Sequence, residues 1–451
     1  MLDSTDSEQM SVLLSKYLDH DYTGTQEDAY IRKKAHTLLE HLNNHPMISI
    51  CFAGSMAEGI QVPGSDSDEM LIDEHVTVMY PDQCIPPDTV YKTILLIRKA
   101  DCRPGYVHLQ LEQIGQKYSV LCFPCKTWPN EANEWITRTR LYGWPHQGLI
   151  NTIVHNGCHL VPVGDKCSGN TLLQWRISFA KAEISLVHSF SHIQLKVYCL
   201  LKLFLKQIKE QLRETIGDDD ILCSYFLKTT LFHAIENSNQ LFWQEKNLFY
   251  CFWFCFNILI AWVRAGVCPH YFIEANNLFE RKVHGQHQRI LLDVLNNYCQ
   301  MKWKCLSVGN FIKPSIWEHL CNTSEQAFLM RPKTVQENVF RQDALVASLL
   351  QTNGPTMENS LRQAIHSLST SHTELDDIFT HNFAMKCLRR LATEKAYPDQ
   401  MVARDNKTRY KSLKKCKRWM SPSASMGTDL LYLATFHFLT GNFFKTLDML
   451  Q

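Results

Sequence analysis

Apolar residues recur at helical spacing in the first 45 residues: Leu13, Leu14, Tyr17 and Leu18, then Ile31, Ala35, Leu38, Leu39 and Leu42. Each set predicts one buried face of an amphipathic helix. From Met47 to Phe123 the pattern shifts. Short apolar runs, ISICFAG, MLIDEHVTVMY, YKTILLIRKA, GYVHLQL and YSVLCF, are separated by Pro, Gly and Asp clusters and predict strands. HLVPVG at 159–164 is a further strand candidate. After Trp175 the pattern predicts almost nothing but helix: SFAKAEISLVHSF, HIQLKVYCLLKLFLKQIKEQL and the aromatic run at 248–263 have helical spacing and few breakers. A strand-rich first part followed by a helical second part predicts an α+β architecture. QTNGPTMEN at 352–360 reads as a linker. The expected organisation is therefore a first lobe of helices and mixed sheet over 1–175, a helical lobe over 176–351, and a helical, partly basic extension over 352–451.

Composition narrows the class. Of 451 residues, 45% are hydrophobic and 11% aromatic, with 18 Gly and 16 Pro, which excludes a low-complexity or collagenous chain. With 46 basic against 45 acidic residues, net charge predicts no partner, so any nucleic-acid surface must be a local patch. The strongest such stretch is 389–418, where eleven Lys and Arg face three acidic residues; a solvated helix face or linker is the competing reading. The 17 cysteines are scattered rather than clustered, and MLDSTDSEQM has no basic-then-apolar signal pattern. Leu248 to Val263 is apolar but broken by Asn257, and falls short of the roughly 20 residues of a bilayer span, so it predicts a buried core helix. No membrane span is expected, and the chain reads as cytoplasmic, or nuclear, with reduced thiols. LLYLATFHFLTGNFFKTLDML near the C-terminus resembles one helix–Gly–helix unit of a tetratricopeptide array.

The chemistry lies in FAGSMAEGIQVPGSDSDEMLI. The strand ending at Ala53 runs into Gly54-Ser55, where a short helix is expected to begin. Gly54 permits close backbone approach, and Ser55 with the unpaired N–H groups of the new helix suits a phosphate. A second turn, Pro63-Gly64-Ser65, delivers Asp66-Ser67-Asp68 to the next strand. Residues two apart share one face of a strand, so Asp66 and Asp68 are expected side by side, facing the Gly-Ser turn. Such hard oxygen ligands opposite a phosphate-holding turn suit Mg²⁺ carried by a nucleoside triphosphate. The alternative is a polar loop in which Asp and Ser cap a turn.

Gly-Ser followed by an acidic pair resembles the signature of the nucleotidyltransferase fold, and the chain is similar to the cGAS-like receptors and their male-abnormal (Mab-type) relatives. WPNEANEWITRTRLYGWP, CHLVPVG, WRISFAKAE and CSYFLKTTLFHAIE carry the likeness in the family's order over about residues 45–300. The resemblance implies a two-lobe nucleotidyltransferase of innate immune sensing. Active relatives make a cyclic dinucleotide from two triphosphates such as ATP and GTP, using Mg²⁺ or Mn²⁺, when they sense a ligand, and double-stranded RNA is the candidate ligand here. It implies Gly54 and Ser55 on triphosphate, Asp66 and Asp68 on metal, Arg176 on a base, Lys202 and Ser224 on phosphate, and Tyr225 stacked on a base. The competing structural readings are an ion pair for Arg176, a solvated helix face for Lys202 and a core aromatic for Tyr225.

Two departures from the family pattern matter. Active relatives carry a third acid about ten residues before a Trp-Pro pair. Upstream of Trp128-Pro129 stand Lys117, Tyr118 and Ser119, and the only nearby carboxylate is Glu112, sixteen residues before Trp128 and expected at the end of a strand. Second, His188 to Leu201 reads as one continuous helix with no close Cys/His set, where the vertebrate DNA sensor carries a zinc ribbon. CFPC at 122–125 reads as buried thiols. The alternative function is thus a catalytically silent nucleotide-binding or scaffold protein.

Overall fold

The computed structural model describes residues 4–43, 47–60, 68–85, 92–98, 102–113, 121–166, 173–218, 220–307, 313–338, 341–342, 345, 357–370, 373–396, 434–435, 437–438 and 441–450. Asp66, the Lys117–Ser119 segment and the basic residues from 404 to 418 lie outside them. The chain divides into two compact units, Met1–Lys33 with His45–Lys333, and Lys34–Asn44 with Thr334–Gln451.

The first unit opens with α1 (Ser4–Leu18), a π-helical turn (Asp19–Thr23) and α2 (Gln26–Asn43), whose last turns belong to the second unit. An antiparallel ribbon follows, β1 (Ile48–Ala53) with β2 (Asp68–Asp73), joined through the one-turn helix α3 (Gly54–Ala57). The run MLIDEHVTVMY, expected as one strand, is two: a turn at Glu74–His75 starts β3 (Val76–Met79). Asp73 Oδ1 accepts the His75 N–H at 3.0 Å and so fixes that turn.

Then come β4 (Thr93–Arg98), β5 (Tyr106–Gln113) and β6 (Phe123–Cys125), the short α4 (Asn133–Thr137), α5 (Gln147–Asn156), β7 (Cys158–Val161) and β8 (Gln174–Ser178). Six strands form one mixed sheet in the order β3-β4-β5-β8-β7-β6, with β3 and β4 parallel and the other pairs antiparallel. The ribbon is stitched to β6 by Asp73 N–H to Cys122 O and Cys122 N–H to Leu71 O, both 3.0 Å.

β8 corrects the expectation of helix after Trp175. WRIS is strand because β5 and β7 bracket it on both sides, pairing Tyr106 and Val161 with Arg176. Five residues leading directly into a helix carry too little alternation to reveal this locally. The expected boundary between residues 175 and 176 thus falls inside a sheet strand. Of the two CFPC thiols, expected to be buried together, only Cys125 is. Cys122 is half-exposed, because Phe123 and Cys125 share the inward face of β6. Every described cysteine is a free thiol.

The helical part comprises α6 (Ala180–His188), α7 (His192–Ile216), α8 (Ser224–Glu236), α9 (Leu248–Ala265), α10 (Gly285–Met301), α11 (Ile316–Cys321) and α12 (Thr323–Met330). The continuous helix expected from His188 to Leu201 is broken at 189–191. Ser191 and Gln194 form a reciprocal capping box that starts α7, and the left-handed Gly217 ends it. Counted with its preceding turn, α9 reaches 21 residues, long and apolar enough to cross a membrane by length and composition. It packs against α1, α7, α8 and α10. Phe252, Cys255, Phe256, Leu259 and Val263 form its buried stripe, while Asn257, Ala261 and Arg264 are exposed.

In the second unit α13 (Met357–Thr370) packs on α14 (Glu374–Ala396), and Phe379, Phe383, Cys387 and Leu391 repeat every fourth residue on the buried face. Met357 to Ser360, read from sequence as the end of a linker, is the first turn of α13; residues 352–356 lie outside the described chain. Gly441, in the left-handed region, precedes the last helix, α15 (Phe443–Leu450).

The helical core turns on Phe204 of α7. It meets Phe252 at 4.7 Å between ring centroids, Tyr298 at 5.7 Å and Phe256 at 6.2 Å. Phe204→Ala leaves a cavity between three helices and is expected to cost about 3–5 kcal/mol of stability, read from urea unfolding at constant slope.

Candidate functional site

A cleft of about 960 Å³ lies within the first unit, between the sheet and the helices, and most of the sequence-expected site residues meet there. Its sheet side is set by the β1–β2 register. Ala53 pairs with Asp68, so the Asp68 carboxylate stands opposite the residue that precedes Gly54. Gly54 adopts φ +77°, a conformation that favours glycine, and turns the chain sharply into α3. Ser55 follows, 2% exposed.

Lys202, from the middle of α7, donates to Ser55 Oγ, and its ammonium lies 5.1 Å from the centre of the Tyr198 ring. It is 9% exposed, so it does not lie on a solvated helix face. Arg176 projects from β8 as an exposed side chain lining the cleft; Ser224 and Tyr225, the first two residues of α8, line it from the helical side. Glu112 is exposed, one residue from the end of β5, and is not among the cleft-lining residues.

The sequence reading missed a polar network in the lining of the cleft. The Lys228 ammonium pairs with Glu58 and, at 2.9 Å, with Glu183. Burial opposes its charge, but the two carboxylates outweigh burial and hold its pKa well above the ordinary lysine value. Tyr198 Oη donates to Glu58 at 3.1 Å. Tyr225 Oη is 2.8 Å from Nε2 of His270, a residue 7% exposed. Burial, then the Glu183 charge, holds the Tyr225 phenol well above its usual range.

A local signal for part of this existed: Lys228 follows Ser224 by one helical turn and so shares its face. Glu58 and Glu183 sit in the quoted motifs, but nothing in one dimension pairs them with Lys228. His270 carries no local signal at all.

Among the described residues no group of three His, Cys, Asp or Glu side chains converges as a metal site. Asp68 nevertheless offers an exposed carboxylate at the cleft edge beside the Gly54–Ser55 turn. That donor suits Mg²⁺, which binds through one or two carboxylates together with substrate phosphates rather than in an all-protein cage.

Two family models match the chain, the Mab-21 protein nucleotidyltransferase domain over residues 89–189 and the Mab-21 protein HhH/H2TH-like domain over residues 196–296. The first begins after the Gly-Ser and Asp motif. Similar curated proteins are the cyclic GMP-AMP synthase of Mus musculus, 29% identical over 176 residues (35% of this chain, 32% of the relative), and that of Sus scrofa, 30% identical over 173 residues (34% and 33%). The match thus spans about a third of the length of these relatives. An α+β fold of a mixed-sheet lobe and a helical lobe fits the matched domains.

Three histidines in this unit are held neutral. Burial, with Lys181 near His159, Arg138 near His233 and Arg176 near His270, lowers their pKa values to about 3, about 4 and about 3. Unfolded histidines take up protons near pH ~6.5, so below that pH the unfolded chain binds more protons than the folded one. The stabilisation is complete above pH ~6.5 and is lost progressively as pH falls toward these lowered values. The thermal midpoint is expected to be flat from pH 8 to 7 and to fall steadily from pH 6 to 4.5; a midpoint that rises over that acid range would contradict the assignment.

Proposed function

Because the chain belongs to the cGAS/Mab-21 nucleotidyltransferase family, we propose that it binds nucleoside triphosphates with Mg²⁺ or Mn²⁺ in the cleft and joins two of them into a cyclic dinucleotide. The observation that carries this reading is the Gly54–Ser55 turn with Lys202 on Ser55 Oγ and Asp68 opposite, at one end of a cleft whose other lining includes Arg176, Ser224 and Tyr225. A cavity of about 960 Å³ is large enough for nucleotide-sized ligands.

In this reading Gly54, Ser55, Lys202 and Ser224 hold the triphosphate, and Asp68, with Asp66, carries the metal. Arg176 and Tyr225 take a base, the tyrosine by stacking. A hydroxyl of one nucleotide attacks the α-phosphorus of the other, the new P–O bond forming as the bond to pyrophosphate breaks; a second attack, by a hydroxyl of the other nucleotide on the remaining α-phosphorus, closes the ring and releases the second pyrophosphate. When bound, the metal offsets charge on the leaving pyrophosphate. The hydroxyl proton needs an acceptor, and Lys117, Tyr118 and Ser119 supply no carboxylate where relatives place one. That observation favours a second reading, a nucleotide-binding scaffold without turnover. For the active reading, the trigger is a nucleic acid, double-stranded RNA first, gripped through local Lys/Arg clusters such as that at 389–418, and the site of action is the cytoplasm or nucleus.

The test separates binding from turnover. Mg²⁺-dependent ATP or GTP binding is expected by calorimetry, and Lys202→Met should weaken it on the order of tenfold or more. The Asp66→Asn, Asp68→Asn pair should abolish metal dependence with the thermal midpoint near wild type. Incubation with labelled ATP, GTP, CTP and UTP, either metal and double-stranded RNA or DNA then reports product. If binding persists but no product forms, even with Asp introduced at Tyr118 or Ser119, the scaffold reading replaces the enzyme.

A further inference from the structure

We propose that His270 is a positioning residue: it fixes the orientation of Tyr225 and thereby the affinity of the cleft for the base of a bound nucleotide. This rests on the nucleotide-cleft reading and adds to it a group outside the quoted motifs.

The loop carrying His270 is closed on itself. Asn277 Oδ1 accepts the N–H of Cys268 at 2.9 Å and of Phe279 at 3.1 Å, while its Nδ2 donates to Gly266 O at 3.1 Å. His270 N–H donates to Asn276 O at 3.0 Å. Within this frame Nδ1 of His270 accepts two backbone N–H groups, from Phe272 and Ile273, each at 3.1 Å. A ring nitrogen that accepts cannot carry the proton, so the proton resides on Nε2. Nε2 therefore donates to Tyr225 Oη across 2.8 Å.

The ring is walled by Phe179 at 5.6 Å between centroids, and Phe179 in turn stacks on Phe272 at 4.5 Å. His270 thus cannot swing away, and the tyrosine hydroxyl is pinned from a fixed point. A tyrosine whose hydroxyl is pinned loses little rotational freedom when a base stacks on it, and preorganisation of this kind appears as affinity.

The experiment uses the full chain and compares Mg²⁺-ATP with Mg²⁺-tripolyphosphate, which has the phosphates but no base. In His270→Asn the side-chain oxygen replaces Nδ1 as acceptor for the two N–H groups, as in an Asx-turn, but the shorter side chain does not reach Tyr225. ATP affinity is expected to fall on the order of three- to tenfold, a fraction of a base-stacking contribution, with tripolyphosphate affinity unchanged; the void left by the smaller side chain lowers the thermal midpoint, which affects both ligands alike and leaves their comparison intact. Tyr225→Phe, which also removes the hydroxyl's bond to Glu183, should give at least as large a loss, and adding His270→Asn to it no further loss, since the contact between the two is already gone. His270→Gln, which restores a donor at the Nε2 position, should recover part of the loss.

Equal weakening of both ligands in His270→Asn would mean a purely structural role and overturn the proposal, as would unchanged ATP affinity or additive losses. If His270→Asn does not fold, Tyr225→Phe carries the same comparison from the other side of the contact. A wild-type chain that binds neither ligand removes the nucleotide cleft itself, a result distinct from binding that His270 does not influence.

Discussion

The Lys228 ammonium, held between Glu58 and Glu183, is the interaction on which the site depends. It joins three elements distant in sequence: the residue that closes α3, the middle of α6 and the first turns of α8. All three groups are largely removed from water, so each charge is tolerable only with the others present. Removing one partner of such a set typically costs about 3–5 kcal/mol. The arrangement also decides geometry. A four-residue helix such as α3 has no stability of its own, and its orientation must be imposed from outside. Glu58 supplies one anchor. Arg32 Nε donating to Gly59 O at 2.9 Å and the contact of His188 Nε2 with Ala57 O at 2.8 Å supply two more. The Gly54–Ser55 turn is thereby aimed by residues from α2, α6 and α8 rather than by its own sequence.

The same logic explains how one cleft is assembled from two kinds of structure. The sheet contributes Asp68 and Arg176 through register, Asp68 across from Ala53 and Arg176 between Tyr106 and Val161. The helices contribute Lys202, Ser224 and Tyr225 through capping and packing. α7 is long because a capping box starts it and a left-handed glycine ends it, and it is buried because most of its residues from Leu195 to Leu205 face other elements. That burial brings Lys202 inward onto Ser55. In a solvated helix the same lysine would have pointed to water.

Strong local patterns were readable. The strands at 48–53, 93–98 and 106–113, the core helix at 248–265 and the Gly54–Ser55 turn are where periodicity and glycine placement put them. The failures share a cause. Gln174–Ser178 is strand only because two neighbours pair with it. MLIDEHVTVMY is two strands because the Asp73 side chain caps a turn that hydropathy does not register. The break at 189–191 comes from a Ser–Gln capping box inside an otherwise helical pattern. Each is a pairing or a local hydrogen bond that competes with propensity and wins.

For the site, the sequence alone determined which residue types stand at the Gly-Ser turn, at Asp66 and Asp68, and in the WRISF and CSYFLKT segments, because their spacing and likeness to a family are one-dimensional facts. It determined equally that no carboxylate stands at 117–119. Only the tertiary structure decided that Lys202 is buried against Ser55, that Lys228 neutralises Glu58 and Glu183, and that His270 reaches Tyr225 from 45 residues away. The physical reason is that charge compensation and hydrogen-bond partnership depend on separation in space. Chain folding sets that separation, and no pattern of spacing along the sequence encodes it.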